Sequence, residues 1–192
     1  MRTDHVDLIQ LHSCSEAELR RGDVIHALDT ARERGLARFI GYSGDGAAAR
    51  YAVESDAFDT LQTSVSIADQ ESLTLTVPLA RERRMGVIAK RPIANAAWLV
   101  DRVSRGAYEY EYWRRLQKLD YDFLAAADGV ATALRFTLSV PGVHTAIVGT
   151  ARPGRFEENA RAAAEGALSA AQMAAIRARW AEVSDASWGG QV

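Results

Sequence analysis

The chain has 192 residues, of which 48% are hydrophobic and 25% are charged, and its formal net charge is −2. High apolar content with so little net charge excludes an intrinsically disordered chain and is typical of a folded globular domain. The near-neutral charge also argues against a nucleic-acid partner, because phosphate binding needs a basic surface.

The cysteine content and the hydropathy of the chain exclude further classes of protein. Cys14 is the single cysteine, which excludes an internal disulfide and a cysteine-rich zinc site. Apolar runs stay well below the roughly 18 residues of a membrane span, and the opening Met1–His5 leads into no apolar signal segment. We therefore expect a cytoplasmic protein that holds no metal ion.

Short apolar runs alternate with stretches of helical periodicity along the chain. The predicted strands are, in chain order, Val6–Leu11, Arg38–Ser43, Thr60–Val65, Val87–Lys90 and Ala146–Val148. The predicted helices are Asp23–Arg34, Ala47–Glu54, a helix that ends in Leu79–Arg84, Val130–Leu138, Arg155–Glu165 and Ser169–Val183. Leu99–Asp122 is predicted to be an excursion with some helix. Ser184–Val192 is small and polar, which predicts a frayed, flexible tail.

The alternation of strand and helix predicts a parallel sheet covered by helices. Two architectures satisfy it, an open doubly wound sheet and a barrel. The dinucleotide fingerprint G-x-G-x-x-G is missing after the first strand. Gly44-Asp45-Gly46 lacks the third glycine, so we interpret it as a plain turn.

Polar residues stand at the ends of the predicted strands. His12 ends the first strand, Ser43 ends the second, and Gln62 lies in the third. Lys90-Arg91 follow the fourth strand and Gly149-Thr150 follow the fifth. Because ligands of a barrel bind at the carboxyl ends of its strands, these residues are candidates for a binding site.

The last loop and helix carry a separate cluster of polar side chains. Arg152 and Arg155 stand at the start of the predicted helix, and Glu158 and Asn159 lie in its first turns. A helix N-terminus with arginines is a ready anion site. The last βα loop is also the usual phosphate position in barrels, so the pattern predicts a ligand that carries phosphate.

Four segments together resemble the aldo/keto reductase family. They are Asp4–His12, Phe39–Ser43, Ile88–Ile93 and Ile147–Asn159, which are similar to the family's fourth, fifth, seventh and eighth strand motifs. Their order and spacing hold from residue 4 to about residue 183. The resemblance implies an α/β fold, a partial (β/α)8 TIM barrel of about five βα units over residues 1–183, followed by a flexible tail at 184–192.

The resemblance also implies an NADP(H) cofactor, a small-molecule aldehyde or ketone substrate and a set of site residues. His12 corresponds to the active-site histidine that orients the substrate carbonyl. Cofactor-binding residues are expected at Ser43, Gln62, Lys90, Arg91, Gly149, Thr150, Arg155, Glu158 and Asn159. Among these, Ser43 and Gln62 would hold the nicotinamide carboxamide, and Arg155 the 2′-phosphate.

The sequence departs from the family pattern at several points. Gly44 stands where asparagine is usual, and Lys90 replaces an aromatic residue common in many members. The sequence begins at the equivalent of the fourth strand, so it assigns no residue to the family's catalytic aspartate, tyrosine and lysine. We therefore expect the chain to be inactive as a reductase on its own.

Two classes of function stay open at this point. One is an NADPH-dependent carbonyl reductase whose missing third is supplied elsewhere, as in a truncated, split or paired barrel. The other is a non-catalytic module that binds nucleotide or a partner. The edge strands Val6–Leu11 and Ala146–Val148 are apolar, so self-association or pairing with an N-terminal half is expected there.

Overall fold

The computed structural model describes residues 3–191 as one parallel sheet with helices packed around it. The strands over this range are β1 (Val6–His12), β2 (Ala37–Ser43), β3 (Thr60–Ser64), β4 (Gly86–Lys90) and β5 (Thr145–Ile147). They lie in the order β1-β2-β3-β4-β5, and each neighbouring pair is parallel. Sequential parallel order is that of a barrel wall and not of a doubly wound sheet, whose order reverses.

Helices connect and follow the strands. The α-helices over residues 3–191 are α1 (Glu16–Arg21), α2 (Asp23–Glu33), α3 (Gly46–Glu54), α4 (Ser72–Leu75), α5 (Val77–Glu82), α6 (Tyr110–Leu119), α7 (Gly129–Leu138), α8 (Arg155–Ala164) and α9 (Ala170–Val183). Two 3₁₀ segments, Ala94–Leu99 and Asp122–Ala125, lie in the excursion before α7. None of these helices is long and apolar enough to cross a membrane.

Most predicted elements are confirmed within one or two residues, and one helix was not predicted. α1 buries Leu19 alone, so it shows little apolar periodicity. Its start is nevertheless marked in the sequence, because Ser15 and Glu18 form a capping box. Gly22, at φ 83°, then turns the chain directly into α2.

The core has two parts. One lies behind the sheet, where Ile40, Leu61 and Val87 face the helices that follow their strands. The other gathers around α6, α7 and α9, with Tyr112 and Phe136 fully buried in it. At the two edge strands, Ile9 of β1 and Ile147 of β5 are exposed.

The end of the chain differs from the frayed tail that the sequence predicts. Trp188 is 2% exposed and packs edge-on against Trp180, with ring centroids 5.1 Å apart. Arg115 donates a hydrogen bond of 2.8 Å to the carbonyl oxygen of Gly189. A single large aromatic residue in a polar segment produces no hydrophobic periodicity, so composition alone gave the wrong expectation for residues 184–191. Val192 lies outside the described residues.

Candidate functional site

The register of the sheet brings the predicted site residues to one edge. His12 is the partner of Ser43 across β1 and β2, and Ser43 is the partner of Gln62 across β2 and β3. Lys90 ends β4 opposite Ile147 of β5. Because the strands are parallel, these positions lie toward the same, carboxyl-terminal edge of the sheet, with Gln62 two residues before the end of β3. Barrels hold their ligands at this edge.

A cleft of about 500 Å³ opens at this edge. It is lined by His12, Gln62, Lys90, Arg91, Asn95, Tyr108, Ile147 and Gly149. Five of these eight were predicted from the sequence. Asn95, Tyr108 and Ile147 were not among the predicted site residues.

Ser43 and Gln62 form a polar pair beside the cleft. Ser43 is 2% exposed, and the Gln62 amide nitrogen donates to its hydroxyl oxygen over 3.1 Å. A side-chain amide offers both donors and an acceptor. The pair therefore presents the groups that a carboxamide needs.

His12 lies exposed at the end of β1. The Ser13 hydroxyl is 3.0 Å from its Nδ1 atom, and Ser13 adopts a left-handed backbone with φ 55°. This contact engages one ring nitrogen and leaves Nε2 for a ligand. A histidine held in this way can orient or polarise a carbonyl oxygen.

Lys90 is held by a carboxylate that the sequence analysis treated as part of a plain turn. Its Nζ lies 2.8 Å from Oδ2 of Asp45, and the two side chains are 13% and 7% exposed. Asp45 also accepts hydrogen bonds from the Thr63 hydroxyl and from the Ser64 amide and hydroxyl, over 2.7, 2.7 and 3.1 Å. Gly44-Asp45-Gly46 is the short connection from β2 into α3 that the sequence predicts, and within it Asp45 also joins the ends of β2, β3 and β4. The sequence gives little indication of this role of Asp45, because the residues that it contacts are distant along the chain.

The structure explains why glycine stands at position 44. A Cβ atom there would lie 2.6 Å from the hydroxyl oxygen of Tyr42. That hydroxyl is fixed, because it donates to the carbonyl of Cys14 over 2.6 Å. Burial raises the pKa of Tyr42 to about 12. Tyr42 is thus a buried packing residue, and it takes the space that an asparagine side chain at position 44 would need.

Arg91 and the strand-to-helix segment after it carry backbone strain. Arg91, Ala94, Asn95 and Ala96 all have positive φ, between 47° and 55°. The Arg91 guanidinium lies 4.6 Å from the centroid of the Tyr108 ring. Non-glycine residues in the left-handed region cluster at functional sites, because such strain persists only where the surroundings enforce it.

The predicted phosphate cluster lies at the start of α8, apart from the cleft. Arg155 is paired with Glu158 one turn on, with Nη1 and Oε2 2.9 Å apart. Thr150 and Asn159 line a separate apolar cleft of about 260 Å³ between β5, α7 and α8. The structure thus brings His12, Gln62, Lys90, Arg91 and Gly149 together, and it places Thr150, Arg155, Glu158 and Asn159 in a second group.

A buried polar cluster lies beneath the tail and was missed by the sequence analysis. Asp69 and Arg115 are each 1% exposed, with Oδ2 and Nη1 3.9 Å apart, and Tyr112 donates to Asp69 over 3.2 Å. Burial raises the pKa of Asp69 to about 7, against the opposing effect of Arg115. Desolvation of the carboxylate is the stronger effect here.

The hydrogen-bond donors in and beside the cleft fit a dinucleotide, whose pyrophosphate is anionic. The carboxamide-type pair Ser43–Gln62 lies at the cleft, and Arg91 stands at its rim. Asn95 also lines this cleft, and its Nδ2 atom is buried and has no hydrogen-bond partner among residues 3–191. An unpaired buried amide is costly unless a ligand satisfies it. Within the same residues, no cluster of three or more histidine, cysteine or carboxylate side chains could hold a metal ion.

Sequential parallel strands with ligand-type residues at their carboxyl ends define this molecule as part of a TIM barrel. The sequence model of the aldo/keto reductase family matches residues 1–181, and the chain belongs to that family.

Relatives and solved structures agree with this assignment. A D-threo-aldose 1-dehydrogenase from a Pseudomonas species is 26% identical, and the match covers 84% of this chain and 53% of that protein. The holo form of an aldo-keto reductase from Bacillus halodurans superposes with a TM-score of 0.72 at 21% identity, covering 93% of this chain and 62% of that one. A Klebsiella pneumoniae aldo/keto reductase in complex with NADP and acetate gives a TM-score of 0.67 at 20% identity, covering 92% of this chain and 59% of that one. The chain thus spans about half to three-fifths of the length of these proteins.

Proposed function

We propose that the chain provides the NADP(H)-binding face and the carbonyl-orienting histidine of an NADPH-dependent oxidoreductase for a small-molecule aldehyde or ketone. The observation that carries the proposal is the convergence of His12, Gln62 and Lys90 on one cleft at the strand ends. Family membership supports the reaction class, and NADP in the Klebsiella structure supports the cofactor.

Each end of the site has a role in this proposal. When bound, the reduced nicotinamide supplies the hydride. Gln62 and Ser43 orient the carboxamide, and Nε2 of His12 orients the substrate carbonyl. Arg91, Gly149 and Asn95 line the part of the cleft that accepts the anionic pyrophosphate of the cofactor.

The phosphate end distinguishes NADP from NAD. Arg155 lies at the N-terminus of α8, where free backbone N–H groups favour an anion. We propose that its guanidinium leaves Glu158 and binds the 2′-phosphate, while Glu158, Asn159 and Thr150 contact the adenosine. Such an exchange replaces a partly exposed, weak ion pair with a charge-assisted phosphate contact.

We further propose that β1 to β5 correspond to the fourth to eighth strands of the barrel, and that β1 and β5 pair with additional βα units. Three large apolar side chains near these edges are 37% (Ile9), 46% (Phe39) and 52% (Ile147) exposed. A closed barrel would cover them and satisfy the strand edges. The catalytic groups other than His12 would then come from those units.

The cofactor assignment is tested by titrating the chain with NADPH and with NADH while following nucleotide fluorescence. Arg155→Ala should weaken NADPH binding by about tenfold, the order of one charge-assisted phosphate contact, and leave NADH binding unchanged. Arg161→Ala, on the exposed far end of α8, is the matched control.

Two results would contradict the assignment. One is absence of saturable binding of NADPH by the folded chain. The other is an equal loss of NADPH and NADH affinity in Arg155→Ala, since the 2′-phosphate is the difference between the two ligands.

A further inference from the structure

Asp45 and Lys90 form a buried ion pair and not a surface ion pair. Asp45 receives the lysine ammonium and three further hydrogen bonds from Thr63 and Ser64. Both side chains are more than four-fifths buried. Exposed pairs contribute little, whereas a pair with this burial and this number of donors holds a defined geometry.

The end of the chain covers the pair. Lys90 Nζ also donates to the carbonyl oxygen of Gln191 over 3.4 Å. The backbone of Gly190 lies directly on the carboxylate, since a Cβ atom built there would be 2.2 Å from Cγ of Asp45. Trp188 and the Arg115–Gly189 contact fix this segment in place. The tail thereby shields the pair from water on this side, which strengthens its electrostatic effect on the neighbouring cleft.

The pair matters because Lys90 lines the same cleft as His12 and Gln62. Under the proposed function, on which this inference rests, that cleft takes a nicotinamide ring. The ring bears one positive charge when oxidised and none when reduced. A lysine without its counter-ion would therefore oppose the oxidised form alone.

We propose that Asp45 is a positioning residue that sets the relative affinity of the cleft for oxidised and reduced nicotinamide cofactor, by fixing Lys90 and balancing its charge. A carboxylate at position 45 balances the charge that Lys90 would otherwise place beside the ring. The two forms then bind with affinities set by their shared contacts, which suits a site that must accept one form and release the other.

The experiment compares dissociation constants for NADP⁺ and NADPH across a double-mutant cycle of the full chain. Asp45→Asn should weaken NADP⁺ relative to NADPH by about tenfold, the order expected of one unbalanced charge in a partly buried cleft. Lys90→Met should shift the ratio in the opposite direction, because Thr63 and Ser64 still hold the carboxylate. The double variant should return the ratio close to that of the unmodified chain.

The outcomes separate this inference from the function on which it rests. Opposite shifts in the two single variants support it, and a merely structural role cannot produce them. Equal weakening of both cofactor forms in each variant overturns the inference and leaves the cofactor assignment standing. Binding of neither form by the unmodified chain overturns both. Asp7→Asn, an exposed carboxylate on β1, is the charge control and should leave the ratio unchanged.

Discussion

At the ends of β2, β3 and β4, and beneath the tail, polar side chains from distant parts of the chain meet in buried contacts. At the start of α8, by contrast, the interacting polar side chains are neighbours on one helix turn and are half exposed. Arg115 reaches Gly189, 74 residues further along the chain, whereas Arg155 pairs with Glu158 at i,i+3. The first region depends on the whole fold, and the second forms with its helix alone.

This difference teaches where stability and ligand binding reside. Buried charges must keep their partners, because an unpaired ion in the interior is strongly destabilising. A helix-surface pair contributes little and is easily exchanged for a ligand anion. We therefore expect substitutions under the tail to unfold the protein, and substitutions on α8 to change binding with little effect on folding.

The largest effect should follow from Arg115→Met. Arg115 is 1% exposed, donates to the carbonyls of Ala68 and Gly189, and lies beside Asp69. Its removal leaves the carbonyls of Ala68 and Gly189 without their donor and takes away the cation beside Asp69, so the free energy of unfolding should fall by about 3 to 5 kcal/mol. Urea denaturation followed by tryptophan fluorescence measures it, with Trp188 as a local reporter.

Arg114→Met is the matched control for that loss. Arg114 stands next to Arg115 on α6 but pairs with Glu111 at the helix surface. Its loss should change the free energy of unfolding by no more than about 1 kcal/mol. Similar losses in the two variants would show that helix propensity, and not the buried cluster, determines the result.

A pH effect of intermediate size should come from Asp69. Burial raises its pKa from 3.8 to about 7, so the folded state favours the protonated form. Its stabilising contribution is complete below about pH 4 and is lost as pH rises toward 7. Asp69→Asn should remove this decline. Between pH 4 and pH 7, the unmodified chain should therefore lose roughly 3 kcal/mol more of its free energy of unfolding than the variant does.

The measurement is the urea midpoint of both proteins between pH 4 and pH 8. The difference between the two proteins cancels the contribution that other carboxylates make to the pH dependence of stability. These include exposed groups whose pKa values are lowered, such as Glu18 and Asp185. Parallel pH profiles for the two proteins would mean that Asp69 is ionised in the folded chain throughout, with Arg115 outweighing desolvation.

The same contrast explains what the sequence could predict. The Arg155–Asn159 motif is contiguous, and the strand ends follow from βα alternation, so both were visible in a single sequence. Asp45 and the Asp69–Arg115 cluster were not, because their partners lie 18 to 74 residues away and only the folded chain brings them together. The tail was mispredicted for the same reason: a polar segment is judged frayed unless the pocket that receives Trp188 is known.

The smallest effect is expected on α8, from Glu158→Gln. Glu158 is partly exposed and pairs with Arg155 within one turn, so the free energy of unfolding should change by no more than about 1 kcal/mol. Nearby Glu157→Gln, in the same turn, controls for the loss of a negative charge near the helix N-terminus. A loss as large as that of Arg115→Met would mean that the pair supports the barrel wall and is not free to exchange. The proposed transfer of Arg155 from Glu158 to a phosphate would then carry a folding cost, and the α8 end of the site could not act as a separable anion contact.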